Sequence, residues 1–113
     1  MTTLDSREQA IEDVFQHDQD TAFHIRTHRN RLLGLWIAEL TGLAGPAADA
    51  YADDLVATGI EQRQDSTITR KVRNDLAAHG VRLSAHRLGR KMDALERLAR
   101  QHVTDETGSA AKG

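Results

Sequence analysis

Cysteine is absent from this chain, so neither a disulfide framework nor a thiolate metal site is available to it. Aromatic residues are nearly as scarce, with one Trp, one Tyr and two Phe in 113 residues. β-Branched residues are also few while Ala and Leu are prominent, which argues for helices over sheet. The one proline, Pro46, leaves long stretches without a helix breaker. No run approaches 18 continuous apolar residues, so no membrane span is expected. The opening MTTLDSREQ carries acids and no apolar run, unlike a secretory signal. A net charge of −2 excludes a bulk polycation, and with it tight non-specific binding to nucleic acid through charge alone. What is left is a soluble, cytoplasmic, all-α domain, long enough to bury roughly two thirds of its unfolded surface.

The chain is organised around Arg29 to Gly42, read as RNRLLGLWIAELTG. Leu32, Leu33, Trp36 and Leu40 recur at steps of three and four, and Leu35 and Ile37 widen the stripe. Trp36 has the largest area to bury and is the expected centre of the core. Gly42 stands where a left-handed cap terminates a helix, and Pro46 keeps the helix from resuming. Gly34 costs roughly 1 kcal/mol relative to alanine in a helix interior, which points to close helix packing there.

Upstream, residues 4–15 place Leu4, Ile11 and Phe15 on one stripe with Val14 beside it, and Asp5 with Glu8 forms a capping box. Gln16 to Thr21 is uniformly polar. The segment before it is therefore either the exposed start of one continuous helix or a short arm that seeks a partner. The apolar period resumes at Ala22 and Ile25, giving a core helix from about Thr21 to Thr41. A second helix is predicted from about Ala47 to Thr58, with Ala48, Tyr51, Ala52 and Leu55 on one face, Val56 flanking it and Gly59 weakening its end. Asp65 or Ser66 caps a third with Ile68, Val72 and Leu76 at steps of four, closed by His79 and Gly80. Ser84 caps a fourth with Leu88, Met92, Leu95 and either Leu98 or Ala99 inward. The tail from Thr104 to Gly113 is expected to be disordered. The architecture is thus a small four-helix bundle over 21–103 with a protruding N-terminal arm, helical or disordered, over 1–20.

Catalytic signatures are missing: there is no serine–histidine–carboxylate order and no GxxxxGKS or GxGxxG loop. His24 and His28 stand one turn apart, but Arg26, Arg29 and Arg31 repel a cation, so they read as exposed polar side chains rather than a metal site. His17, His79, His86 and His102 show no mutual spacing that suggests a site. Charge is segregated. Between Leu4 and Asp20, six acids stand against Arg7, a balance of −5. Arg26, Arg29 and Arg31 follow without an acid, and the last helix and its approach carry +4. Such basic faces are solvated surface, or sites for nucleotide phosphates or an acidic protein surface.

The runs Ser6-Arg7-Glu8 through Phe15-Gln16-His17-Asp18 and Arg29 through Trp36, followed by Ala50-Tyr51-Ala52, Arg70-Lys71-Val72-Arg73 and Arg90-Lys91-Met92, resemble the zeta subunit of alphaproteobacterial F-type ATP synthases. The resemblance spans nearly all of residues 4–103, with RNRLLGLW its most specific part. It implies a four-helix bundle whose N-terminal segment inhibits ATP hydrolysis by the catalytic head, wedged as a helix between α and β subunits near the γ stalk. Leu4, Ile11, Val14 and Phe15 would form the apolar anchor, and Arg7, Glu8 and Glu12 would fix register. The family is also understood to bind ADP or ATP. Arg26, Arg29, Arg31 and Lys91 would then hold phosphates, a weak ligand rather than a cofactor. His24, His28, Ile11 and Gly59 depart from the family pattern. The resemblance implies a regulator that is not an enzyme and sits peripheral to the inner membrane through the ATP synthase head. The rival readings from charge are a small nucleic-acid module using Leu83 to Arg100 and a free nucleotide sensor.

Overall fold

The computed structural model describes the backbone from Thr3 to Lys112 and side chains for residues 18–105. The described residues form four helices: α1 (Thr3–Thr41), α2 (Pro46–Glu61), α3 (Asp65–Ala78) and α4 (Ala85–Lys112). The fold is all-α and a four-helix bundle. The leading segment and the first bundle helix are one continuous helix, and the backbone of α4 is carried to Lys112. Asp5, expected as the cap of the leading segment, lies inside α1, which already starts at Thr3; the side chains of Asp5 and Glu8 are outside the described ones.

Helix boundaries follow local chemistry. Gly42 adopts φ 82° after α1, and the Leu43 N–H donates to the Ala38 carbonyl at 2.8 Å. Gly80 does the same after α3 with φ 74°, the Val81 N–H reaching the Leu76 carbonyl at 2.9 Å. Both closures satisfy carbonyls that a helix end leaves without partners. Pro46 opens α2, where its missing N–H costs nothing. The Ser84 hydroxyl accepts from the Arg87 N–H at 3.1 Å and caps α4. At α3 the cap differs from expectation: Gln64 takes the position, and Asp65 and Ser66 lie within the helix. α2 runs three residues past its expected end, through Gly59 to Glu61.

The core is built by Leu33 and Ile37 of α1, Leu55 of α2, Ile68, Val72 and Leu76 of α3, and Leu88, Met92 and Leu95 of α4. Of the two candidates for the next inward position on α4, Ala99 is buried and Leu98 is exposed. Trp36 is not the centre of this core; it is half-buried and packs on its flank. The reason is the seam between α1 and α2. A Cβ on Gly34 would stand 2.6 Å from the Ala52 Cα, and Ala38 and Ala52 are fully buried, so the two backbones approach too closely for an indole. The Trp36 ring instead lies under the Lys91 ammonium, 5.0 Å from its centroid. Leu35 and Leu40 are also exposed.

A polar clasp joins α2 to α3. The Tyr51 hydroxyl donates to Asp75 at 2.7 Å, and Lys71 bridges Asp54 at 3.1 Å and Asp75 at 3.3 Å. Burial first, then the bond to Asp75 and the charges of Asp75 and Asp54, hold the Tyr51 phenol above its ordinary value of 10.0. Burial pulls the Lys71 ammonium down, but Asp54 and Asp75 outweigh it and its pKa is raised above 10.5.

Two outcomes follow from this packing. Gly34→Ala must push the α1 and α2 backbones apart, at an expected cost of about 1–3 kcal/mol. Thermal denaturation checks it, and a melting temperature within a degree of the parent contradicts it. Tyr51 and Lys71 both hold their protons more tightly folded than unfolded. Their stabilisation is therefore complete below about pH 10 and lost as pH rises beyond it. Melting curves should be flat through neutral pH and fall above about pH 10, and Tyr51→Phe should shallow that fall. An unchanged alkaline slope in Tyr51→Phe refutes the assignment.

Candidate functional site: the root of the leading segment

α1 carries a buried stripe of Ile25, Arg29, Asn30, Leu33, Gly34, Ile37 and Ala38, the period of one helix face. Two of its members are polar. Arg29 is 3% exposed and Asn30 1%. The Arg29 guanidinium donates bidentately to Asp65 at 2.8 and 3.1 Å, to Glu96 at 3.5 Å, and twice to the Asn30 side-chain oxygen at 3.0 and 3.2 Å. These five bonds match the five N–H donors of the fork. Asn30 in turn packs against α2 at Gly59, where an added Cβ would collide with its amide nitrogen. Gly59 is thus a packing residue, and three helices are fastened to α1 at one level.

Above that level α1 still runs beside α4, with Asp18, Thr21 and Ala22 lining a shallow pocket together with Glu96 and Arg100. Among residues 18–24 none is buried, and Ile25 is the first buried position on α1 among the described residues. Phe23 is 42% exposed and Ile60 of α2 50%, and with Val56 they form an apolar patch at the root, flanked by Arg26 and Arg63. On the other side, His28 and His102 meet at 2.8 Å with rings edge to face, tying α1 to α4. His28 is therefore partnered and half-buried rather than a free polar side chain, and His102, 74 residues away, was invisible to spacing. Among the described residues no group of three ligands could hold a metal ion, and no helix is long and apolar enough to cross a membrane.

The four basic residues proposed for phosphates are not gathered. Arg29 is committed to Asp65 and Glu96 inside the body. Arg31, two positions on and so on another face, pairs with Asp53 at 2.6 Å. Lys91 lies over Trp36, and Arg26 stands at the root. The seven leading residues Leu4, Arg7, Glu8, Ile11, Glu12, Val14 and Phe15 lie outside the described side chains. Sequence reasoning missed the Phe23–Ile60 patch, although Phe23, an aromatic set off the buried stripe, was its signal.

Residues 1–102, which take in the leading segment and the bundle as far as His102 of α4, match the family model described as ATPase inhibitor subunit zeta. The chain belongs to that family. The match supports the role of an ATPase inhibitor and extends across the leading segment as well as the bundle. No curated protein and no solved structure matches the chain.

Arg29→Met should cost about 1–3 kcal/mol, because the buried Asn30 oxygen loses both donors while the exposed Asp65 and Glu96 rehydrate. Arg31→Met, whose ion pair lies in solvent, should stay within about 0.5 kcal/mol of the parent. Urea denaturation of both variants compares them, and equal losses would remove Arg29 from its anchoring role.

Proposed function

We propose that this zeta-family chain is a regulatory inhibitor of ATP hydrolysis by the F-type ATP synthase head. In this reading the leading segment over residues 4–15 wedges between α and β subunits near γ and blocks rotation. The observation that carries the proposal is the division within α1. Downstream of Ile25 the helix supplies the bundle core, whereas residues 18–24 bury nothing, and the apolar residues farther upstream have a stripe of their own. An exposed amphipathic helical segment is marginal alone in water and gains its stability from a groove in a partner.

Leu4, Ile11, Val14 and Phe15 supply the apolar side of the wedge, and Arg7, Glu8 and Glu12 set its register against polar groups at the interface. The catalytic head closes and opens its interfaces as it turns. A helix seated in one of them has higher affinity for that conformation than for the next, so it opposes the transition by the difference. The root patch of Phe23, Val56 and Ile60 extends the same contact onto the body. The role needs no catalytic residue of the chain's own.

The test is ATP hydrolysis by the purified head with and without the chain. Phe15→Asp should abolish inhibition and leave the melting temperature of the body nearly unchanged. Phe23→Asp should weaken inhibition several-fold with the same neutral effect on stability. Unfolding in Phe15→Asp would make Phe15 a core residue, and unchanged ATPase turnover with the parent chain in excess would end the reading.

A further inference from the structure

A groove of about 1030 Å³ runs along the outer side of α3 and is walled by the segment joining α3 to α4. Arg70 and Arg73 stand on the α3 side and Arg82 on the wall, with Ser66, Thr69, Asn74 and Ser84 between them and no acidic residue in the lining. Arg73 donates to the Leu83 carbonyl at 3.2 Å and holds the wall in place. Arg70 and Arg82 are exposed and have no ion-pair or hydrogen-bond partner among the described residues. Val81 and Leu83, both half-buried, give one end an apolar lip. From Ser66 to Ala77 the groove follows α3 for about 16 Å, and it is open along its length. Such a shape covers too little of a small ligand, while an extended or helical peptide gains from its length.

We propose that this groove docks the acidic leading segment of a second copy of the chain. Asp5 to Phe15 is the same helical length as the groove. Its four acids, Asp5, Glu8, Glu12 and Asp13, exceed Arg7 by three charges, which balances Arg70, Arg73 and Arg82. Its Ile11 and Phe15 match the lip formed by Val81 and Leu83. The chain's own leading segment is not the occupant. α1 is a continuous helix from Thr3 to Thr41 that meets α3 through Arg29 and Asp65, so its first turns lead away from α3. A seated segment would be withheld from the ATPase. That consequence rests on the function proposed above, whereas the docking does not.

Sedimentation of the full chain from about 10 µM to 1 mM at low salt tests the proposal, the weak end of the range being the limit for a specific contact. The expected result is a monomer–dimer equilibrium that weakens as salt screens it. Arg70→Glu with Arg82→Glu should weaken it at least tenfold, and so should Glu8→Lys with Glu12→Lys. Mixing the two charge-reversed proteins should restore association. Arg70 and Arg82 are exposed, so circular dichroism should show both variants folded, and Arg70→Glu alone provides the comparison if the pair does not fold. A monomer throughout, dimers indifferent to these substitutions, or chemical shifts in the groove on adding inorganic phosphate with no self-association overturns the proposal. Dimerisation by a chain that also fails to inhibit ATPase at concentrations where it is monomeric leaves the docking intact and counts against the inhibitor reading alone.

Discussion

The bundle depends on a guanidinium taken almost wholly out of water. Arg29 is shut into the junction of α1, α3 and α4, where a lone charge would be prohibitive, and all five of its N–H groups find acceptors. Its carboxylate partners keep access to solvent, at 59% and 44% exposure, so one ion of each pair remains hydrated. That arrangement avoids much of the desolvation that makes fully buried ion pairs poor stabilisers. What it adds is specificity. A planar fork accepts only one relative placement of the α3 start and the middle of α4, whereas the apolar core beneath it tolerates sliding.

Below the fork, the backbones of α1 and α2 meet at Gly34 and Ala52, and α3 and α4 fill the remaining space with branched and long aliphatic side chains. Small residues at one contact and large ones at the others keep interior density high without distorting side chains. The clasp of Tyr51, Lys71, Asp54 and Asp75 closes the outer side of α2 and α3. The described core is built wholly from residues downstream of His24.

Much of this was legible in the residues. The stops at Gly42 and Gly80, the Ser84 cap and the four-residue steps of Ile68, Val72 and Leu76 are local signals, and each was realised, while α2 starts at Pro46, one residue before its expected start. Gly34 also announced its close contact. Trp36 misled because side-chain size argues for burial only where helices stand far enough apart, and that distance is set by glycine and alanine on two helices. Arg29 misled for a related reason. A polar residue inside an apolar stripe resembles surface until its acceptors are known, and these stand 36 and 67 residues away. The histidine contact between α1 and α4 is equally non-local. The candidate site was read from charge and apolar pattern, and its seven leading residues remain known by that pattern alone.

Because body and leading segment share α1, the compass bearing of the upstream stripe is geared to the bundle at 100° per residue. One residue gained or lost between Asp18 and His24 would swing that stripe by more than a quarter turn. Changes of about seven or eleven residues return it within roughly 20°. The polar stretch at 16–21 is therefore free in composition but not in length, and related chains of differing reach should vary there in whole-turn quanta.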